Sequence, residues 1–375
     1  MSYRFQFDET VLNSVVGGHS AIDMPKLHIH SREEANAFML GYGFNADNSE
    51  DLEKLWYFHR RALVLIQEKL GFQPQQVPEV LRDPKLLEDP RNILIYASSA
   101  DIQHKNLQKW ACALLRCMHV FVHAENDLFS SFSEDIQKQI LAPFQNCIFH
   151  DGTTGTTFLK RPQDTLSPQL PEVEDGGALA LLGFEVKPFK TSSSTVIKLL
   201  AKPDALAMRV FDKLGVRFVT RSMFDTFRVV RFLVEEGLIS FAHIMPDQSS
   251  NNLYPVGLFL KAAAELAPKA HEYSDEQINR FFIDYLEKNR DQADFLRKEN
   301  LFSGEDYRFI KFIARKLIRI EIPGATNKFS FFYPYEVQIV DQESHSKINS
   351  GPSHHLAYKE RQQQAARIRL LPELG

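Results

Sequence analysis

The spacing of apolar residues changes part-way along this chain of 375 residues. Up to about residue 160 they recur at intervals of three and four, as along one face of an α-helix. The clearest stretches predict helices at 51–70, 101–125 and 133–145. Ser31 opens the sequence SREE, a capping-box pattern that predicts the start of an earlier helix. We therefore expect residues 1–165 to form a helical N-terminal module.

A different pattern follows residues 160–177, which are rich in Pro, Ser, Gly and acidic residues and predict a linker. The predicted strands beyond it are ALALLGFEVKPF, LGVRFVT, LISFAHIM, ARKLIRIEI and FSFFYPYEVQIV. Helical segments such as SSSTVIKLLAK and MFDTFRVVRFLVEEG alternate with them. This order predicts a second domain over 178–375, with a sheet flanked by helices in an α/β or α+β fold. Residues 257–311 return to helical spacing and predict a helical insertion.

Charge and hydropathy exclude several classes of protein. The 44 Lys and Arg residues nearly balance the 48 Asp and Glu residues, so the chain is neither a polycationic DNA-coating protein nor a disordered acidic tail. Any anionic ligand must then be held by a local group of basic residues. The chain contains no apolar run of about 18 residues, and its start, MSYRFQFDET, does not resemble a signal peptide. We expect a cytoplasmic protein with no membrane and no DNA partner.

Three patterns that often bind metals have simpler structural interpretations here. The three cysteines lack CxxC spacing and lie in apolar segments, which predicts reduced thiols in the core. His119 and His123 are four residues apart on a predicted helix, but no third ligand accompanies them, so packed histidines are favoured over a zinc site. The pair His150-Asp151 precedes GTTGTT, which favours a surface turn.

Two carboxylates accompany predicted strands of the second domain. Asp212 precedes the strand LGVRFVT, and Glu336 lies within FSFFYPYEVQIV. If these strands are neighbours, both carboxylates can contribute to one Mg²⁺ site, since Mg²⁺ prefers oxygen ligands and completes its shell with water and substrate phosphates. The alternatives are a strand-edge position for Glu336 and a position at the end of a helix for Asp212.

Basic residues near these strands are candidates for binding phosphates. Lys190, Ser194 and Lys198 recur at intervals of four where a predicted helix begins, which places them on one helical face. Arg217 alternates with apolar neighbours, so it lies on the opposite strand face from them. Each of these residues alone has a solvated surface position as its alternative.

Taken together, three segments resemble the synthetase domain of the RelA/SpoT family, enzymes that transfer pyrophosphate from ATP to the 3′-hydroxyl of GDP or GTP. The first segment has the spacing Lys-x-x-x-Ser-x-x-x-Lys of Lys190, Ser194 and Lys198. The second segment matches the family pattern Asp-x-x-Gly-x-Arg, followed by an Asp in a helix. The third segment matches a strand with Glu-x-Gln, followed downstream by His, Gly, His, Ala, Tyr and Lys. The matching residues of the second and third segments are Asp212, Gly215, Arg217, Asp225, Glu336, Gln338, His345, Gly351, His355, Ala357, Tyr358 and Lys359.

The resemblance implies a role for each of these positions. Asp212 and Glu336 would bind Mg²⁺, and Glu336 would also position or deprotonate the attacking hydroxyl. The family implies that Lys190, Lys198 and Arg217 bind phosphates, and Ser194 lies in the same segment. It also implies that Gln338 and His355 form the acceptor side, and His345 lies in the same motif. Tyr254, in QSSNNLYP, is the nearest counterpart of the tyrosine on which the family stacks the acceptor base, although some 80 residues separate it from Glu336.

Differences from the family motif leave the acceptor open. Val340 stands where the family usually has Arg, and Asn349 replaces a common Glu. The candidate acceptors are therefore GDP or GTP, an adenine nucleotide and a tRNA end. A non-catalytic alternative is a nucleotide-binding regulatory protein whose N-terminal helices contact a protein partner. Another alternative is a fold of this type retained without activity.

Overall fold

The structure is a computed structural model. It describes Leu12, Val16 and residues 20–125, 131–162, 178–187, 189, 192–202, 210–296, 308–321, 329–349 and 355–372, with only the backbone at 21, 348–349 and 355–357. The predicted linker lies outside the described residues from position 163 onward.

Helices dominate the first part of the chain. The longer ones are α1 (Arg32–Tyr42), α2 (Ser49–Val64), α3 (Asn92–Ala97), α4 (Lys105–Glu125) and α5 (Ser133–Asn146), with single turns at Glu79–Arg82 and Pro84–Leu87. The Ser31 hydroxyl accepts a hydrogen bond from the Glu34 amide, which confirms the predicted N-cap. Gly43 ends α1 with φ of 105°, a conformation that favours glycine. The three predicted helices are confirmed within a few residues.

Seven strands form one mixed sheet in the order β1-β2-β3-β4-β7-β6-β5. They are β1 (Ile148–His150), β2 (Thr157–Leu159), β3 (Leu179–Lys187), β4 (Gly215–Thr220), β5 (Ser250–Asn251), β6 (Ile310–Ile320) and β7 (Phe329–Asp341). Among the strands that the structure describes, β4 and β7 pair in parallel and every other pair is antiparallel. The predicted mixed α and β architecture is confirmed at this level.

Six further helices accompany the sheet or the helical part. They are α6 (Ser192–Ala201), α7 (Met223–Glu235), α8 (Val256–Leu266), α9 (Asp275–Lys288), α10 (Gln342–Asn349) and α11 (His355–Leu370). The Ser222 hydroxyl caps the start of α7, and Gly237, the last residue of the predicted segment MFDTFRVVRFLVEEG, follows its end with φ of 64°. Within the predicted insertion, α8 and α9 are helical, but position 310 already belongs to β6.

One face of the central strands is an apolar core. Phe218 of β4 and Tyr335 of β7 lie on this face, and Phe144 of α5 packs against both rings at centroid distances of 6.2 and 6.0 Å. All three side chains are almost completely buried. Alternation along β4 and β7 therefore leaves the opposite face to residues such as Arg217 and Glu336.

Two local predictions need correction, and a third is confirmed. The segment LISFAHIM is not a strand: Phe241–His243 forms a 3-10 turn, and only Ile244 forms a bridge, to Ala314. A short apolar run does not distinguish a strand from a buried turn. Two short strands, β1 and β2, were missed before the linker. Between them Asp151 accepts hydrogen bonds from the Thr153 amide and the Thr154 hydroxyl, which confirms the predicted turn.

The cysteines and the histidine pair have the predicted structural roles. Cys112, Cys117 and Cys147 are free and buried, and burial raises the pKa of Cys117 to about 12. The Tyr42 hydroxyl hydrogen-bonds to Nδ1 of His119 at 2.6 Å, and burial lowers the pKa of His119 to about 4. Among the described residues no group of three or more His, Cys, Asp or Glu side chains is arranged to hold a metal.

The chain divides into two compact units. Unit 1 comprises Met1–Ser130, Thr191–Val210 and Lys359–Gly375, and unit 2 comprises Ser131–Lys190 and Phe211–Tyr358. This division differs from the predicted boundary between 165 and 178. In unit 1, Arg369 donates hydrogen bonds to the carbonyls of Leu199, Leu200 and Lys202 at the end of α6, so α6 and the part of α11 from Lys359 onward belong to the helical unit. Along the described segments, no helix has the length and apolarity needed to cross a bilayer.

Candidate active site

The parallel register of β4 and β7 brings the second and third motif segments side by side. Gly215 is the partner of Glu336, and Arg217 is the partner of Gln338. Directly paired residues point to the same face of a sheet. Because side chains alternate along each strand, Arg217, Glu336 and Gln338 share the face opposite Phe218 and Tyr335.

Close packing at Gly215 positions Glu336. A Cβ atom added at Gly215 would lie 2.7 Å from the carbonyl oxygen of Glu336 and 3.0 Å from its Cβ. The Glu336 amide donates to the carbonyl of Leu214 at 2.9 Å. Only glycine allows this approach of the two backbones, which explains why glycine stands at this point of Asp-x-x-Gly-x-Arg.

The carboxylate of Glu336 faces two lysines. Lys187, at the end of β3, donates a hydrogen bond from Nζ to Oε1 at 2.7 Å. Nζ of Lys311 on β6 lies 4.0 Å from Oε2. The Glu336 side chain is only 10% exposed, so this ion pair is screened less than a surface pair.

Gln338 joins the lysine to the arginine. Its Oε1 accepts hydrogen bonds from Lys187 Nζ at 2.6 Å and from Arg217 Nε at 2.9 Å. Two cationic donors on one oxygen fix the orientation of the amide. An anion with several oxygens can satisfy the same donors.

Glu185 extends the chain of contacts to α10. Its Oε2 accepts a hydrogen bond from Arg217 Nη1 at 2.8 Å, and its Oε1 lies 3.1 Å from Nε2 of His345. His345, nine residues after Glu336, is thus brought to the same face. We call this connected set the polar network; its members are Glu185, Lys187, Arg217, Lys311, Glu336, Gln338 and His345.

The polar network has a surplus of positive charge. Lys187, Arg217 and Lys311 are three cations against the two carboxylates of Glu185 and Glu336. A partly buried site with such a surplus attracts anions. Three of its members, Glu185, Lys187 and Lys311, were missed from the sequence. The alternation FEVKPF, which places Glu185 and Lys187 on the face opposite Phe184 and Val186, was the available signal.

Asp212 lies three residues before β4, outside the paired register of β4 and β7. It precedes Leu214, the residue whose carbonyl binds the Glu336 amide, by two positions, and it is half-buried. The donor set of Asp212 and Glu336, two carboxylates, is of the type that Mg²⁺ prefers. The fit requires that phosphate oxygens complete the shell and that Lys187 moves from Glu336 to a phosphate.

The other predicted site residues fall into three groups. Lys190 lies outside the described residues, and so does the side chain of His355, whose backbone begins α11. Ser194 and Lys198 lie on α6, which belongs to unit 1, where Ser194 is exposed and Lys198 half-buried. The structure therefore leaves their predicted phosphate-binding role as a prediction.

Tyr254 is a correction. Its side chain is fully buried, its hydroxyl donates to the carbonyl of Phe282 at 3.0 Å, and its ring packs edge-on against Phe227, Phe259 and Phe282. Asn251 causes this burial, because its side chain hydrogen-bonds to the backbone of Tyr254 and folds the turn inward. A stacking role needs an exposed ring face, which Tyr254 lacks.

Comparisons of this chain with protein-family models, with curated proteins and with solved structures found no match. The likeness to the RelA/SpoT synthetases therefore depends on the motif residues described above, and the function it implies remains a prediction.

Proposed function

We propose that unit 2 binds a nucleoside polyphosphate at the polar network and transfers pyrophosphate from ATP to a hydroxyl of an acceptor. The observation that carries this proposal is the parallel register of β4 and β7, because it gathers Arg217, Glu336 and Gln338 beside two lysines. Transfer of this kind depends mainly on positioning and on neutralising charge, which cations and carboxylates on a rigid sheet provide.

The cations of the polar network would bind the donor phosphates. Arg217 and Lys187 now donate to Glu185, Gln338 and Glu336, all through oxygen atoms. Phosphate oxygens can replace these acceptors, with Arg217 as a two-pronged donor and Lys187 as a point charge. Binding would thereby release the carboxylate of Glu336 from its lysine.

Glu336 would then act on the acceptor. The acceptor oxygen attacks the β-phosphorus of ATP, the bond from that phosphorus to the α–β bridging oxygen breaks, and AMP leaves with the bond's electron pair. The proton of the acceptor hydroxyl passes to the Glu336 carboxylate. Mg²⁺, held by Asp212, Glu336 and phosphate oxygens, would supply neutralisation of the developing charge.

The acceptor need not be a guanosine nucleotide. Burial of Tyr254 removes the one stacking residue that the resemblance offered for a guanine base. This observation favours the alternative in which an adenine nucleotide or a tRNA end accepts the pyrophosphate.

A non-catalytic nucleotide-binding protein is the second candidate. The observation that favours it is the 2.7 Å ion pair of Lys187 with Glu336, since a carboxylate held by a lysine is a weak base. If this candidate is correct, nucleotide binds through the cations, and no group is transferred.

The test is transfer of label from γ-³²P-ATP with Mg²⁺ to GDP, GTP, AMP, ADP or tRNA. The proposal predicts a labelled product with at least one acceptor, lost in Glu336→Gln and retained in Glu235→Gln, whose carboxylate is half exposed on α7. ATP binding without transfer would support the non-catalytic candidate. Absence of both binding and transfer would refute the site.

A further inference from the structure

We propose that unit 2 has a second ligand site, a cavity at the carboxyl ends of β4 and β7 that binds a phosphorylated compound of nucleotide size. The proposal goes beyond the function proposed above and does not depend on it. The cavity has a volume of about 620 Å³ and includes Arg221, which follows β4, and Asp341, which ends β7. In sheets with parallel strands, the carboxyl ends of those strands are the usual place for ligands.

The cavity is separate from the polar network. None of the described members of that network lines it. Glu336 and Asp341 are five residues apart along β7, which corresponds to roughly 17 Å of strand at about 3.3 Å per residue. A ligand in the cavity and a nucleotide on the polar network can therefore be bound at the same time.

The walls of the cavity differ in character. Met223 of α7 with Ile283 and Leu286 of α9 form an apolar side suited to a flat ring. Arg221, Arg308 and Lys347 contribute three cations, and Glu287, Asp341 and Glu343 contribute three carboxylates. A nucleotide presents both a ring and phosphates, and about 300–1,000 Å³ is the usual size of small-molecule pockets.

Glu343 now pairs with two of these cations. Its Oε1 accepts a hydrogen bond from Lys347 at 2.7 Å, and its Oε2 lies 3.4 Å from Arg308. The bond from Lys347 lowers the pKa of the Glu343 carboxyl, which therefore stays ionised at neutral pH. The third cation, Arg221, makes no side-chain hydrogen bond or ion pair with any described residue. A phosphate can engage Arg221 and compete with Glu343 for the other two.

Because the phosphate competes with Glu343, the proposal predicts opposite changes in affinity for two variants. Arg221→Ala removes a phosphate donor, so binding should weaken about tenfold, the effect of one lost charged hydrogen bond. Glu343→Gln removes the competing carboxylate, so binding should tighten. Lys347→Ala removes a donor on the other side and serves as a second weakening variant.

The experiment is calorimetric titration of the full chain with AMP. Separate titrations with adenosine and with pyrophosphate measure how much the ring and the phosphates each contribute to the affinity. The matched control is Arg231→Ala, which removes an exposed cation of α7 that lines neither site, whereas Lys311→Ala removes a cation of the polar network and detects AMP bound there. We expect AMP to bind the wild type and Arg231→Ala equally, Arg221→Ala and Lys347→Ala about tenfold more weakly, and Glu343→Gln more tightly. The proposal is overturned if AMP does not bind, or if Lys311→Ala alone weakens it. The second outcome would place AMP on the polar network and leave the transferase proposal intact.

Discussion

Gly215→Ala tests whether close backbone packing positions Glu336. The added methyl would lie 2.7 Å from the Glu336 carbonyl oxygen and 3.0 Å from its Cβ, so β4 and β7 must separate by a few tenths of an ångström. Overpacking of this kind costs about 1–3 kcal/mol. Against this, alanine in a strand is favoured over glycine by about 0.5–1 kcal/mol. We therefore expect a net loss of roughly 0.5–2 kcal/mol in the free energy of unfolding.

Gly183→Ala is the matched control for this change. Gly183 lies on β3, and its added Cβ would meet only Val219 side-chain atoms, at 3.8 Å or more, an ordinary contact. The same gain in strand preference applies without the clash, so this variant should be neutral or more stable by up to about 1 kcal/mol. Urea unfolding followed by far-UV circular dichroism gives both values. If Gly215→Ala is as stable as Gly183→Ala, the backbone contact does not constrain Glu336 and the argument is wrong.

Three further predictions concern packing within the two units. Tyr254→Phe removes the hydroxyl bond to the Phe282 carbonyl and should lower the free energy of unfolding by about 1 kcal/mol; an unchanged urea midpoint would contradict this. Arg369→Ala removes three hydrogen bonds to carbonyls at a helix end and should lower the free energy of unfolding by about 1–3 kcal/mol. The exposed control Arg231→Ala should lower it by less than about 0.5 kcal/mol, and equal losses for the two variants in urea titrations would contradict this. Burial lowers the pKa of His119 from 6.5 to about 4, so its contribution to stability is complete above pH 6.5 and is lost as the pH falls toward 4. If the dependence of stability on pH is the same in His119→Gln as in the wild type, this prediction is wrong.

The order of elements was predictable because each has a local cause. The helical periods depend on residues a few positions apart. The cap at Ser31 and the glycine at position 237 also act within a few residues. The adjacency of the two last long strands followed from their neighbouring positions in sequence. LISFAHIM failed because its apolar run fits a turn as well as a strand, and Pro246, just beyond it, has no amide hydrogen for a ladder.

The candidate site was predictable only in part, because it depends on register. The motif spacing identified Arg217, Glu336 and Gln338, and the register of β4 and β7 brings them together. Lys187 and Lys311 come from strands β3 and β6, whose alignment with β7 no local pattern specifies. A charged residue that alternates with apolar ones has the same pattern whether it faces water or a ligand.

The most direct test of the polar network as a polyphosphate site is the affinity for Mg·ATP, measured by calorimetry, of Arg217→Ala against Arg231→Ala. Arg217 is 16% exposed and bonded to two members of the network, whereas Arg231 is 62% exposed on α7. We predict affinity weakened about tenfold or more in Arg217→Ala and unchanged in Arg231→Ala. Equal affinities in wild type and both variants, with Arg217→Ala still folded, would contradict the proposal that this face of the sheet binds the donor nucleotide.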